Sequence, residues 1–187
     1  GKIITFGTLK GGVGKTMLCF NIGGILAQLD RRVLVIDSDL QGNLTNNMGI
    51  DRTRQDLLTT YDIYRVDNPP PEPQQHPTPW PWPPPAGREQ ILSNYLSDHQ
   101  AFFSQYDYLL IDTNPSMSII NQNAFLASDA ILLVSDVSMN AIEGAQLFIA
   151  LWEEARRRLR RPDNIRGFII NDFDTRNKLS ADYLEYL

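Results

Sequence analysis

A glycine-rich segment, residues 10–16, limits the folds open to this chain more than any other part of its sequence. It reads KGGVGKT. An apolar stretch at 2–6 precedes it and an apolar-periodic stretch at 16–29 follows, which predicts a strand, a tight turn and a helix in succession. Glycines let the backbone curl so that several N–H groups point inward, and the helix N-terminus adds the positive end of its dipole. This order of elements is typical of a loop that holds phosphate groups.

Individual positions in the loop have distinct expected roles. Lys15 is expected to reach the β- and γ-phosphates of a nucleotide, and the Thr16 hydroxyl to bind Mg²⁺. The usual pattern G-x-x-x-x-G-K-[ST] has a glycine where this chain has Leu9, and the chain carries an additional lysine, Lys10, instead. A glycine turn that holds a lysine by chance is the alternative. The other loop positions expected to contact nucleotide are Gly11, Gly12, Val13, Gly14 and Met17.

Apolar runs and helical patterns alternate along the rest of the chain. Further strands are predicted at 32–36, 108–111, 130–134 and 165–170, and further helices at 90–103 and 141–159. Continuous Val/Ile/Leu strands that alternate with helices predict an α/β fold with a mostly parallel central sheet and helices on both faces. Together with the glycine-rich loop, this arrangement resembles the architecture of a P-loop NTPase. A length of 187 residues suits a single domain. Ten of the twelve prolines lie between Pro69 and Pro85, so residues 68–86 are expected to form a surface linker or a polyproline II segment.

Composition excludes several classes of function. Seventeen Lys and Arg against twenty-two Asp and Glu give a net charge of -5, which argues against nucleic-acid binding by charge spread over the whole surface. A single cysteine, Cys19, excludes an intramolecular disulfide and a zinc site built from several thiolates; it is expected in the core, and the chain is expected to be cytoplasmic. No stretch is long and apolar enough to predict a membrane span. Because the chain opens at Gly1 without Met, its N-terminus is expected to be processed or trimmed.

The KGGxGKT form resembles that of the deviant Walker A ATPases, which include the partition ATPases ParA and Soj, the division-site ATPase MinD and nitrogenase iron protein. The stretch VLVIDSDLQGN, which begins at Val33, is similar to the D-x-D-P-Q-G-N of ParA/Soj, with Leu40 in place of the proline. YDYLLIDTNPS resembles Y-D-x-I-I-I-D-x-P-P-S, with Asn114 in place of the first proline. The IEG at 142–144 and the GFIINDFDTR that begins at Gly167 follow in family order. A lone cysteine disfavours nitrogenase iron protein, whose cluster needs more than one.

The resemblance implies roles for acidic and amide residues that end strands. Asp37 would lie near the water shell of the metal and Asp39 would orient the attacking water, while Asp112 would hold Mg²⁺ through a water. Asn171 would contact the adenine edge, because an amide offers a donor and an acceptor together. Solvated turn residues or strand-end caps are the alternative for all four.

Dimerisation is the central implication of the resemblance. Lys10 would reach the nucleotide of a second copy and supply a cation there, so that the catalytic set is Lys10, Lys15 and Asp39. The implied function is an ATP- and Mg²⁺-dependent ATPase in plasmid, chromosome or cargo partitioning, whose ATP dimer binds nonspecific DNA and associates with the nucleoid. A ParB-like protein would stimulate hydrolysis, and no membrane partner is expected. The family continues beyond the position of Leu187, so the C-terminus is expected to be truncated.

Charge alone suggests where DNA would bind. Arg156, Arg157, Arg160 and Arg161 lie together at the end of the last long predicted helix. Cations at a helix C-terminus are also favourable on dipole grounds, which is the alternative reading of this cluster. Three other functions stay open: a MinD-like switch on a membrane, a metabolic P-loop enzyme, and a nucleotide-binding module without turnover.

Overall fold

The computed structural model of the protein describes residues 1–54, 59–64, 87–138 and 141–171. The proline-rich residues 68–86 lie outside these ranges. The strands are β1 (Lys2–Gly7), β2 (Val33–Asp37), β3 (Tyr108–Asp112), β4 (Ala130–Ser135) and β5 (Ile165–Ile170). Within the described residues they form one all-parallel sheet in the order β2-β3-β1-β4-β5. The predicted α/β fold with a parallel sheet is confirmed, and each predicted strand lies within one residue of its observed bounds at both ends.

Seven α-helices connect these strands within the described part of the chain. They are α1 (Lys15–Gln28), α2 (Asn43–Asn47), α3 (Thr60–Tyr64), α4 (Ile91–Asp98), α5 (Gln100–Phe103), α6 (Ile119–Ala127) and α7 (Ala141–Arg158). A short 3₁₀ turn, Arg88–Gln90, precedes α4. None of these helices is long and apolar enough to cross a membrane.

Several features of the helices differ from the expectation, and the short helices α2 and α3 were not predicted. The single helix predicted over 90–103 is interrupted at His99, whose ψ of 30° leaves the helical range and ends α4. Across this break the centroid of the Phe103 ring in α5 lies 6.0 Å from that of the Tyr95 ring in α4, so two short helices contribute to the same part of the core. Helix α6 was not predicted, and its N-terminus is capped by the Ser118 hydroxyl, which accepts from the backbone N–H of Asn121.

Alternate residues of the strands pack against helices on opposite faces of the sheet. Leu110 packs in a cluster with Cys19 of α1, whereas Leu109 and Ile111 pack with Leu92 and Leu96 of α4. A third cluster joins α6 and α7 to β4 through Phe125, Phe148 and Trp152. The sheet is therefore covered by α1 on one face and by α4, α6 and α7 on the other.

Strand register determines which loops meet. Phe6 of β1 and Asp37 of β2 are both register partners of Asp112 in β3. Since all the strands are parallel, their carboxyl ends lie along one edge, which is where open α/β sheets bind ligands. The loops that follow β1, β2, β3 and β4 all start at this edge.

Candidate functional site

The loop between β1 and α1 has the backbone geometry that an anion-binding turn requires. Gly12 and Gly14 have φ of 78° and 84°, values that only glycine adopts without strain. A β-carbon on Gly14 would also lie 2.2 Å from Nδ2 of Asn171, so a side chain at this position would displace the Asn171 amide. Val13, between the two glycines, is 3% exposed and anchors the loop in the α1 cluster. The loop thus curls over the N-terminus of a fourteen-residue helix.

Lys15 and Asp112 form a buried ion pair at the centre of the site. Lys15 Nζ donates a hydrogen bond to Asp112 Oδ1, and their side chains are 6% and 0% exposed. Burial raises the pKa of Asp112, and the Lys15 ammonium and hydrogen bonds from Lys15 and Thr16 oppose that rise. Asp112 Oδ2 is buried and has no hydrogen-bond partner within the described residues.

A buried carboxylate oxygen without a partner is an acceptor available to a metal-bound water. Within the described residues there is no group of three or more His, Cys, Asp or Glu side chains that could hold a metal ion unaided. Mg²⁺ commonly uses one or two carboxylates and takes its other ligands from water and substrate phosphates. Asp112, with the half-buried Thr16 hydroxyl beside it, fits that second arrangement.

The carboxylates at the end of β2 and just after it are held by backbone and hydroxyl donors. Asp37 Oδ2 accepts from the backbone N–H of Thr45 at 2.9 Å and from the Thr45 hydroxyl at 2.6 Å. Asp39 Oδ1 accepts from the backbone N–H of Gln41 at 3.0 Å, which shapes the turn that carries it. Both side chains are half-buried at the carboxyl edge of the sheet, next to the Lys15–Asp112 pair in strand order.

Lys10 is held on the opposite side of the loop. Its Nζ lies 2.5 Å from Asp136 Oδ2 and 2.7 Å from Ser138 Oγ, beyond the end of β4. Burial raises the pKa of Asp136, but hydrogen bonds from Lys10 and Ser138 outweigh that effect, and the pKa lies below its ordinary value. The Lys10 side chain is 41% exposed. The two loop lysines therefore have different surroundings: Lys15 is buried against β3, and Lys10 is open to solvent beside β4.

Asn171 lies against the loop. Its Nδ2 donates to the backbone carbonyl of Val13 at 3.0 Å, and its own backbone N–H donates to Ser135 O. The side chain thus braces the loop in this structure, and the predicted contact to adenine stays a prediction. Of the remaining predicted contacts, Gly11 is exposed near Pro115, and Met17 is 53% exposed on the first turn of α1.

The four arginines predicted to contact DNA have unequal surroundings. Arg156 is 18% exposed, is paired with Glu153 and donates to the carbonyl of Arg161, so it stabilises the end of α7. Arg157 is 76% exposed and lies 3.0 Å from Glu153. Arg160 and Arg161 are exposed, and within the described ranges neither forms an ion pair. Three of the four side chains thus face solvent.

Sequence reasoning missed the partners of Lys10. Asp136 and Ser138 follow the carboxyl end of β4, and the rule that strand ends gather at one edge of a parallel sheet could have found Asp136. The contact itself depends on the β1–β4 pairing, which joins segments more than 120 residues apart. No local pattern indicates such a pairing.

Comparison with known proteins finds a family model that matches nearly the whole chain. Residues 4–187 match the model of the CobQ/CobB/MinD/ParA nucleotide-binding domain. The chromosome partitioning protein ParA of Caulobacter vibrioides is 31% identical over 195 residues, which cover 96% of this chain and 72% of that protein.

Two solved structures share the fold over nearly the whole chain. A putative plasmid partition protein from Borrelia burgdorferi B31, bound to AMPPNP, is 25% identical with a TM-score of 0.72, and the match covers 100% of this chain and 81% of that one. Cobyrinic acid a,c-diamide synthase from Mycobacterium smegmatis, with bound ADP and magnesium, is 24% identical with a TM-score of 0.79, covering 99% and 80%. The second likeness concerns the fold alone.

Proposed function

The chain belongs to the CobQ/CobB/MinD/ParA nucleotide-binding domain family, and from this premise we propose that it is a ParA/Soj-like ATPase that acts in the partitioning of a plasmid, a chromosome or another cargo. Its ATP-bound form is a dimer that binds DNA without sequence preference, and a ParB-like partner stimulates hydrolysis. The 31% identity to a chromosome partitioning protein supports this proposal over the other members of the family.

The buried Lys15–Asp112 pair is the observation that carries the proposal. A lysine with 6% exposure at the start of a helix, paired with a carboxylate at the end of the neighbouring strand, is costly unless both charges are used. Phosphate oxygens give Lys15 a stronger partner, and Asp112 is then free to accept from metal-bound water. Mg²⁺ would neutralise charge on the β- and γ-phosphates when it is bound. The relative crystallised with AMPPNP supports a nucleotide at this loop.

The exposed position of Lys10 supports action on a second copy. Lys15 lies inside the loop, whereas the Lys10 side chain is 41% exposed and projects toward the end of β4. An exposed cation at the mouth of a phosphate loop can reach a nucleotide held by a facing copy and stabilise charge on its transferring phosphoryl group. Asp39 then orients the attacking water, and Asp37 lies in the surroundings of the metal.

The proposed DNA contacts are the exposed arginines at the end of α7. Arg157, Arg160 and Arg161 face solvent, and a dimer would present two such sets. Two linked sets of phosphate contacts bind more tightly than one, so DNA binding would require ATP. This nucleotide-dependent association places the protein on the nucleoid only in its ATP form and in the cytoplasm otherwise.

The rate of ATP hydrolysis, measured with and without nonspecific DNA at low and high salt, tests the proposal. We expect a slow Mg²⁺-dependent rate, with a DNA effect that disappears as salt rises, because phosphate contacts release counterions. A chain that binds no nucleotide would contradict the proposal.

A second candidate function, that of a metabolic P-loop enzyme, is supported by a cavity of about 550 Å³. Its lining includes the carboxylates of Asp37 and Asp39 and the apolar side chains of Leu92, Tyr95 and Phe103. A metabolic P-loop enzyme would need such a space for a second substrate beside the phosphates. ATP hydrolysis that depends on a small molecule and is insensitive to DNA would favour this second candidate.

A further inference from the structure

Helix α6 carries two asparagines that are almost completely buried. Asn121 is 0% exposed and Asn123 is 1% exposed. Burying an amide costs free energy unless the amide is hydrogen-bonded, so the groups that each side chain binds indicate its role. The two side chains bind different parts of the molecule, since they are two residues apart on one helix.

Asn121 binds the loop that follows β3. Its Nδ2 lies 2.7 Å from the carbonyl oxygen of Asn114 and 2.8 Å from that of Ser116. The side-chain oxygens of the same two residues lie 2.9 and 3.2 Å away. Two carbonyl acceptors fix the orientation of the amide, because a flipped side chain would bring oxygen against oxygen.

The carbonyl of the same amide is left without a partner. Asn121 Oδ1 is buried and has no hydrogen bond within the described residues. An apolar side chain of similar size would avoid that cost. The amide therefore contributes to the loop it holds and not to the packing of the core.

This loop lies against the phosphate loop. Thr113 donates its hydroxyl hydrogen to the carbonyl of Phe6 at 2.7 Å, which ties the start of the loop to β1. A β-carbon built on Gly11 would lie 3.8 Å from Cγ of Pro115, so the proline ring sits beside the Gly11 backbone. The loop thus connects Asp112 to the end of the phosphate loop that carries Lys10.

Asn114 stands where the family motif that the chain resembles has a proline. A proline ring fixes φ, whereas asparagine leaves the backbone free at this position. We propose that Asn121 is a positioning residue: its amide holds Asn114 and Ser116, and so keeps Pro115 against Gly11 in place of the missing proline ring.

The consequence for nucleotide binding rests on the proposed function. If Lys15 contacts the terminal phosphate of the bound nucleotide, the loop that runs from Asp112 to the Gly11 backbone borders that phosphate and lies farther from the others. Loosening the loop then weakens binding of a triphosphate more than binding of a diphosphate. Asn123 provides the matched control, because its amide donates to the carbonyls of Arg88 and Ile119 and accepts from the N–H of Leu92, away from the loop.

Calorimetric titration with Mg-ADP and with Mg-AMPPNP tests this inference on the unaltered chain, Asn121→Ala and Asn123→Ala. In Asn121→Ala the affinity for Mg-AMPPNP should fall about tenfold and that for Mg-ADP about twofold at most, as expected when a buried hydrogen-bonded partner is lost. In Asn123→Ala both affinities should stay within about twofold, although thermal stability falls in both variants. Asn121→Leu keeps the side-chain volume without the donors and should behave as Asn121→Ala does.

Rescue by proline separates positioning from a general loss of structure. Within the described residues the backbone N–H of Asn114 donates no hydrogen bond, so Asn114→Pro removes none of them. Adding Asn114→Pro to Asn121→Ala should restore most of the affinity for Mg-AMPPNP. The inference would be overturned, and the proposed function left standing, if Asn121→Ala changed the affinities for Mg-ADP and Mg-AMPPNP in the same way as Asn123→Ala does. Failure of Asn114→Pro to rescue Asn121→Ala would have the same consequence. No nucleotide binding by the unaltered chain would overturn the proposed function and the inference with it.

Discussion

The charge balance around Lys15 governs both binding and stability at the scale of single residues. Lys15 and Asp112 are buried together, so removing one partner leaves the other as an unpaired buried charge. Burial already raises the pKa of Asp112, and the Lys15 ammonium is the main influence that opposes the rise. Substitution of Lys15 therefore changes the ionisation of Asp112 as well as the phosphate contact.

Lys15→Ala should abolish Mg-ATP binding, because it removes the direct contact to the phosphates. Thr16→Ala should also abolish Mg-ATP binding, because it removes a ligand of the metal.

Without the lysine the pKa of Asp112 rises further. A carboxyl group whose pKa is raised on folding stabilises the protein less as pH rises through that pKa. The free energy of unfolding of Lys15→Ala should therefore fall, relative to the unaltered chain, as pH rises from 4 toward 8, by on the order of the several kcal/mol of a broken buried pair, and thermal melts at several pH values measure it.

Adding Asp112→Asn to Lys15→Ala separates the two effects. The double variant should recover thermal stability and lose its added pH dependence, but it should still bind no nucleotide. Retained ATP affinity in Lys15→Ala would contradict the assignment of the phosphate loop.

Lys10 is restrained by its ion pair with Asp136. The pair is partly exposed, so the restraint is worth only about 0.2–1 kcal/mol. Asp136→Asn should release Lys10 and tighten ATP-dependent dimerisation by at most about fivefold. Ser138→Ala removes a single hydrogen bond to Lys10 and should have a smaller effect in the same direction. Dimerisation measured by light scattering at several ATP concentrations distinguishes these variants. A loss of dimers in Asp136→Asn would show that the carboxylate positions Lys10 for its function.

Residues within the loop could be predicted, and the residues that restrain them could not. Gly12 and Gly14 have positive φ, which agrees with the backbone curl that the glycines predict, because the motif is local and its geometry depends on neighbouring residues. Asp136 contacts Lys10 from a position 126 residues away in sequence, and the proposed effect of Asn121 on the loop passes through Pro115, which lies beside Gly11. Such contacts follow from strand order, which no single pattern in the chain specifies.

The end of α7 shows how an element and a surface patch share residues. Arg161 N donates to Arg156 O and Arg160 N to Arg157 O, the paired bonds of a Schellman motif. Arg160 has a φ of 54° at the position that usually holds glycine. The dipole of the helix and the proposed DNA site both favour cations here, so stability and DNA affinity must be measured separately.

Arg160→Gly should raise stability and weaken DNA binding together. Glycine relieves the left-handed strain of about 1–2 kcal/mol, offset by roughly 0.5–1 kcal/mol of extra chain entropy in the unfolded state. One lost phosphate contact should lower the slope of log K against log salt by about one unit. Filter binding at several salt concentrations and thermal melts measure the two effects.

Asp30→Gly is the control at the end of α1. Asp30 has a φ of 58° in the same type of helix end, since Arg31 N donates to Leu26 O and Asp30 N to Ala27 O. The Asp30→Gly substitution should stabilise the chain slightly without any change in DNA binding.

The stronger variant Arg157→Glu/Arg160→Glu should weaken DNA binding equally for any sequence. Unchanged affinity and slope in that variant would move the DNA site elsewhere.

Strands could be predicted better than helices because buried strands carry their own signal. The Val, Ile and Leu runs of β2, β3 and β4 are continuous, since both faces of a parallel sheet are covered. Helix α6 buries the polar residues Asn121 and Asn123, so its hydrophobic periodicity is weak. The break at His99 separates two apolar segments that look like one helix in sequence. Across the break the Tyr95 ring lies 4.5 Å from the His99 ring and 6.0 Å from the Phe103 ring, between centroids, and the sequence pattern does not specify these contacts.

At the scale of the whole molecule, one edge of the sheet brings together groups of opposite charge from four loops. Lys10 and Lys15 come from the loop after β1, and Asp39, Asp112 and Asp136 from the ends of β2, β3 and β4. Only Lys15 and Asp112 are buried, so the remaining groups stay accessible from outside. This division predicts that one copy can bind nucleotide, whereas hydrolysis requires a second copy to face the edge.

Sedimentation velocity of two variants in Mg-ATP tests this coupling most directly. Asp39→Ala should bind ATP without hydrolysing it and sediment as a dimer, because the attacking water is no longer oriented. Asp39→Ala/Lys10→Ala should bind ATP and sediment as a monomer, and both variants should be monomers in Mg-ADP. The same sedimentation of the two variants in Mg-ATP, whether as monomers or as dimers, would contradict a phosphate loop completed by the lysine of a second copy.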